Sequence, residues 1–254
     1  MFLKTEIFIK NKKFKYYSSS ILYDNKFKHG FFTKSVSEKH LPKLSTYLNK
    51  NHQNCVLNQI HSHKIVFGSQ TQKGVKIDAD GLVCDEFNQN LWIYTADCMP
   101  ILFADKKRRL VAALHCGRKG LEKGIIKNLI KIFDKLGSSR EDLLVAIGPS
   151  ISKSNYTVDK KTLKEFCKKT DNKVLKISRK NIENIFNFRN LIFSKEEGFI
   201  QLDLREYAHM HLLNENIPNK NIDISTLCTY ESNHEFYSWR RNKTSLRQWS
   251  FICT

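Results

Sequence analysis

Short apolar runs alternate with polar turns along the chain, and the period of the apolar positions changes in its middle third. Residues 91–94 (Leu-Trp-Ile-Tyr) form an unbroken apolar run, which predicts a buried strand. Residues 95–100 (Thr-Ala-Asp-Cys-Met-Pro) interrupt it as a turn or bulge, because Pro100 cannot donate to a central ladder. Residues 101–104 resume as a strand, 105–108 turn the chain, and 110–115 form a further apolar strand ending in His115-Cys116-Gly117. The last two runs are predicted to pair as a hairpin.

After Gly120 the period lengthens. Leu121, Ile125, Leu129, Ile132 and Leu136 recur at spacings of three and four, one face of an amphipathic helix that Gly137 stops. Leu143–Ile147 reads as a strand broken by Gly148-Pro149. Asp203-Leu204-Arg205-Glu206 reads as a capping box that opens a helix through Leu213. Residues 222–227, 236–239 and 248–253 read as strands. The stretch 168–189 is polar and rich in Lys and Asn, yet its Val174, Leu175, Ile177, Ile182, Ile185 and Phe186 predict that part of it packs. No repeat or Pro/Gly-rich linker divides the chain. One α+β domain spanning 1–254 is expected.

The composition narrows the class. Hydrophobic residues make up 41% and charged residues 27% of 254, a globular balance. The longest purely apolar runs have five residues, far short of the roughly 20 of a membrane span. The N-terminus carries no signal-like stretch. A cytoplasmic protein is expected, with its seven cysteines as thiols. The net charge of +18 comes from 33 Lys and 10 Arg scattered along the chain. Specific nucleic-acid sites lean on clustered Arg, so the pattern argues against nucleic-acid binding while favouring an anionic small substrate.

Three residues carry the candidate chemistry. His61 precedes an apolar run, Cys98 sits in the strand-breaking turn, and His115 ends a strand before Gly117. Two adjacent hairpin ends would bring Cys98 and His115 to one rim. Such a pair suits a thiol nucleophile with a His base. It equally suits zinc held by three protein ligands with the fourth position open. Spacing alone does not choose between them. Asp80 and Asp97 are candidate proton carriers, or turn residues that bind backbone amides. His63 is not expected to ligate.

The sequence also resembles the multicopper-oxidase-like laccase-domain family. The resemblance rests on Lys28-His29-Gly30-Phe31-Phe32-Thr33-Lys34, Asn58-Gln59-Ile60-His61 and Asp78-Ala79-Asp80-Gly81. It continues through Thr95-Ala96-Asp97-Cys98-Met99-Pro100, His115-Cys116-Gly117, Ile147-Gly148-Pro149, Tyr156-Thr157-Val158 and Phe236-Tyr237-Ser238-Trp239-Arg240-Arg241. It implies two packed mixed β-sheets flanked by helices, with a distant likeness to cysteine-hydrolase toxins. It implies purine nucleoside phosphorylase activity on adenosine, inosine and methylthioadenosine, with adenosine deaminase activity. His61, Cys98 and His115 would then be both catalytic residues and zinc ligands, with copper as the alternative metal. Nucleoside and phosphate would be the partners, and Lys34, Arg118 and Lys119 the substrate-binding cations, with Arg240 and Arg241 in reserve. A metal-free Cys-His amidase is the competing reading, and copper-dependent polyphenol oxidation a third, although nine scattered His do not supply several copper clusters. The chain departs from the family pattern at Arg118, where Trp is usual, at Lys119, where Arg is usual, and at Lys34, where Arg is usual.

Overall fold

The computed structural model describes residues 1–9, 11–48, 52–71, 76–169, 192–196 and 199–253. Two large mixed sheets form its centre. The first runs β1 (Phe2–Ile9), β2 (Lys12–Ser19), β3 (Lys28–Phe32), β16 (Gln248–Cys253), β8 (Gln89–Thr95), β4 (Gln53–Asn58) and β6 (Ile77–Asp78). The second runs β15 (Ile222–Ile224), β11 (Leu143–Ile147), β9 (Met99–Asp105), β10 (Val111–Cys116), β7 (Gly81–Val83) and β5 (Ile65–Phe67). Each sheet mixes parallel pairs, such as β4 with β8 and β5 with β7, with antiparallel ones. A small third sheet orders β12 (Thr157–Asp159), β14 (Phe199–Leu202) and β13 (Ile192–Glu196).

The continuous apolar runs follow from burial on two sides. Side chains alternate along a strand. In β9, Leu102 and Ala104 face the first sheet, packing in one cluster with Leu91, Ile93, Leu57 and Ile252. Ile101 and Phe103 face the opposite way, into a second cluster with Ile125, Leu129, Phe133, Tyr207 and Leu212 from the covering helices. No polar side exists on such a strand, so the sequence shows no alternation.

Several expectations hold. The strands β9 and β10 pair antiparallel, with His115 opposite Pro100 and Cys116 opposite Met99. Asp203 caps the helix Leu204–Asn214 by accepting from the Glu206 N–H at 3.0 Å. Gly137 ends the helix Ile125–Lys135 at φ +78, with Ser138 N–H on the Phe133 carbonyl and Gly137 N–H on that of Asp134.

Others are corrected. The runs 91–94 and 101–104 are not one interrupted strand: β8 and β9 lie in different sheets, 96–98 carry the chain between them, and Met99 and Pro100, expected in the turn, belong to β9. The expected single helix from 121 is two, Arg118–Glu122 and Ile125–Lys135, because Gly124 adopts φ +75 and breaks the ladder. Residues 236–239 are not a strand. Ser238 caps a short helix, Trp239–Asn242, by accepting from the Arg241 N–H. Of 222–227 only Ile222–Ile224 is strand. The stretch 168–189 lies outside the described residues beyond Lys169. Among the described residues, no helix is long and apolar enough to cross a membrane.

Candidate metal centre and substrate cavity

The chain crosses from one sheet to the other at Cys98, and this crossing is aimed by Asp97. Asp97 sits at φ +93, a region that costs a non-glycine residue about 1–3 kcal/mol. Its carboxylate compensates by accepting from Thr229 Oγ1 at 2.7 Å, Ser238 Oγ at 3.1 Å and the Arg240 N–H at 2.6 Å. Asp97 is therefore the turn-fixing residue rather than a free proton carrier.

His61 follows β4 and also has a left-handed backbone, φ +57. Asp80 holds it there. The Asp80 side chain is fully buried, at 0% exposure. It accepts from the backbone N–H groups of Ile60 at 3.3 Å, His61 at 3.0 Å and Ser62 at 2.5 Å, and from Ser62 Oγ at 2.7 Å. The same carboxylate lies 2.7 Å from His115 Nδ1. One carboxylate thus sets the loop that carries one imidazole and the ring orientation of the other. With Nδ1 donating to Asp80, His115 presents Nε2 to the site. Burial pushes the Asp80 carboxyl up, but His115 and Ser62 outweigh burial and hold it down at about 2.

The structure brings the three predicted residues together. Ligand atoms of His61, Cys98 and His115 all lie within 4.8 Å of one another. Cys98 Sγ is 3.9 Å from His61 Nε2, and the two imidazole rings meet edge-on at 4.7 Å. Among the described residues this is the one group of His, Cys, Asp and Glu side chains arranged to hold a metal ion. The donor set fits zinc: in a tetrahedral site sulfur and nitrogen ligands stand about 3.6 Å apart. His63 is exposed and outside the group.

Electrostatics make Cys98 unlike the other thiols. Burial pushes it up, yet His115 and His61 pull it down to about 6. Burial lowers His115, yet the Cys98 thiolate and Asp80 raise it to about 9. Burial holds Cys55, Cys84 and Cys167 at about 11. In chelator-treated protein, iodoacetamide labelling of Cys98 is expected to rise with a midpoint near pH 6, while those three stay unlabelled. Peptide mass mapping across pH checks this, and a midpoint near 9 would contradict the thiolate–imidazolium pair.

Gly117 is required by the same geometry. A Cβ added there would stand 2.6 Å from Cys98 Sγ and 3.6 Å from His61 Cδ2. Gly117→Ala is expected to displace the sulfur and lower metal content and turnover about a hundredfold, with a melting temperature near that of the unaltered protein. Unchanged metal content in the purified variant would remove this role for Gly117.

The triad opens into a cavity of about 560 Å³. Arg118, Lys119, Arg240 and Arg247 line it, with Tyr94, Tyr156 and Trp239. Arg118 is ion-paired with Glu122, and Arg240 lies over the Tyr156 ring at 4.9 Å while donating to the Thr157 carbonyl at 2.9 Å. Lys34 is not at this cavity, contrary to expectation. It follows β3 and is tied to the 233–235 turn: its N–H donates to the Glu235 carbonyl and its ammonium to the Asn233 carbonyl at 2.9 Å. Arg241 is likewise structural, donating to the carbonyls of Thr229, Tyr230 and Phe236. Sequence reasoning missed Arg247 and the orienting role of Asp80. Arg247 lies beyond any motif, and only the Asp-Ala-Asp-Gly segment hinted at Asp80.

The sequence model of the family described as "Multi-copper polyphenol oxidoreductase laccase" matches residues 33–254. The chain belongs to this family. Every residue of the triad, Asp80 and the cavity cations falls within the matched region of this laccase-like domain. The chain is 29% identical over 235 residues to a purine nucleoside phosphorylase of Synechocystis sp., covering 88% of each. It is 32% identical over 175 residues to a purine nucleoside phosphorylase of Bacteroides thetaiotaomicron, covering 68% of this chain and 59% of that protein. Among solved structures, the fold is shared with YlmD from Geobacillus stearothermophilus, at TM-score 0.80 and 23% identity over 98% of this chain and 99% of that one. A hypothetical protein YfiH from Bacillus licheniformis gives TM-score 0.73 and 25% identity, over 90% and 93%.

Proposed function

We propose that this protein is a zinc-dependent purine nucleoside phosphorylase acting on adenosine and inosine, with adenosine deamination as a second reaction of the same centre. The observation that carries the reading is the convergence of His61, Cys98 and His115, with ligand atoms within 4.8 Å of one another, in the wall of a cavity also lined by four cations. The names of the relatives support the substrate class. In this reading residues 1–254 act as one catalytic domain in the cytoplasm.

His61, Cys98 and His115 would hold the metal, with Asp80 fixing the His115 tautomer. When bound, zinc would supply Lewis acidity to polarise a reacting group. Arg118, Lys119, Arg240 and Arg247 would bind phosphate, whose oxygen forms a bond to the ribose C1′ as the bond from C1′ to the base nitrogen breaks. Burial holds the Tyr156 phenol above its usual value, against the opposing pull of the nearby Arg118 and Arg240 charges. Tyr156 therefore keeps its proton and can donate to a substrate oxygen. Polyphenol oxidation by several coppers is disfavoured by the donor count, one metal-holding group among the described residues.

A metal-free thiol hydrolase is the second reading, and the lowered Cys98 thiol beside a raised imidazolium favours it. Zinc quantified in protein purified without chelator separates the two. Inosine with phosphate should yield hypoxanthine and ribose 1-phosphate in proportion to zinc content. No release by zinc-loaded protein would reject the phosphorylase, and full activity after chelation would favour the thiol.

A further inference from the structure

Three aromatic side chains line the cavity, and two of them are already engaged. The Tyr94 ring packs on Trp249 at 4.9 Å, and its hydroxyl accepts from the Gln59 N–H. The Tyr156 ring lies under the Arg240 guanidinium, 4.9 Å from its centroid. Trp239 differs. It opens the short helix Trp239–Asn242 and remains 48% exposed at the cavity. The Lys243 ammonium lies 3.7 Å from its ring centroid and covers one face. Lys243 reaches that position because it ends the helix at φ +51. The opposite face has no ring or cation partner among the described residues. An indole held flat by a cation on one side is a stacking platform on the other, and base–aromatic stacking needs only a π-face. The platform is also anchored to the chemistry: Asp97, one residue before Cys98, holds the Ser238 hydroxyl and the Arg240 N–H on either side of Trp239.

Resting on the nucleoside reading above, we propose that Trp239 stacks on the purine base and sets the preference for purine over pyrimidine nucleosides. The larger bicyclic base overlaps more of the indole, so the preference follows from area and polarisability.

Two measurements test this. Trp92 and Trp249 are buried, at 0% and 4% exposure, so the red-edge indole fluorescence reports Trp239. Titrating inosine or hypoxanthine should quench that emission, uridine should quench it far less, and Trp239→Phe should lose the quench. In steady state, Trp239→Ala should raise KM for inosine about tenfold or more with kcat changed by less than about threefold, and Trp239→Phe should restore most of the KM. Phosphorolysis with an unaltered KM in Trp239→Ala, or no quench by hypoxanthine in the unaltered protein, would overturn the stacking role. Absence of turnover with every nucleoside would reject the phosphorylase reading instead, and the hypoxanthine titration would still decide the role of Trp239.

Discussion

Cys98→Ala is expected to purify without stoichiometric zinc and to lose at least about a thousandfold in kcat/KM for inosine phosphorolysis. The sulfur is one of three donors whose ligand atoms lie within 4.8 Å of one another, and the remaining two imidazoles are a poor site alone. Lewis acidity at a reacting group is worth several kcal/mol, and each 1.4 kcal/mol is about tenfold in rate. The fold should survive, because Cys98 is only half-buried and sits in a turn held by its neighbour Asp97 rather than by itself. Metal analysis and a nucleoside assay on the same preparation check the result. A variant that keeps full zinc would refute the assignment of the triad, whatever its activity.

The second large effect is expected at Asp80. Asp80→Ala removes the acceptor of three backbone N–H groups, a hydroxyl and the His115 ring at once. The buried His115 ring and four partly buried donors would lose their common acceptor, so a destabilisation of about 3 kcal/mol is expected. The milder Asp80→Asn should fold and lose about 10–100-fold in zinc affinity, since the partner that orients His115 is weakened. The carboxyl also makes stability depend on acid. Its folded value of about 2 lies below the ordinary 3.8, so its contribution is complete above about pH 4 and is lost as the pH falls toward 2. That contribution is about 2 kcal/mol by linkage. Urea unfolding at pH 6 and pH 2.5 should therefore show a smaller loss for Asp80→Asn than for the unaltered protein. Equal losses in both would show that Asp80 is not the group responsible.

Much of the candidate His61, Cys98 and His115 cluster was legible because its local signals are strong. The segment 95–100 places an Asp, a Cys and a Pro between two buried apolar runs, and the backbone is redirected there: residues 96–98 leave β8, while Met99 and Pro100 already belong to β9. The ending of a strand at His115 before Gly117 gave the matching half, and the β9–β10 register, with His115 opposite Pro100, is what that pair of signals requires. The cavity beside it was less legible. Lys34 looked equivalent to Arg118 in sequence, but the 233–235 turn captures its ammonium. Arg247 and Trp239 enter the cavity only because the C-terminal segment folds back over the sheet crossing.

The sequence by itself determined which segments are buried, where the chain breaks, and that a thiol and two imidazoles stand at or next to those breaks, His115 in the last two residues of β10. Each of these depends on a few neighbouring residues, through periodicity, proline and glycine. Only the tertiary structure decided that β8 and β9 belong to different sheets, that one buried Asp80 carboxylate serves both imidazoles, and which cations face the cavity. Those outcomes depend on which distant strand satisfies a given backbone edge. A continuous apolar run announces burial on both faces but says nothing of what will cover them.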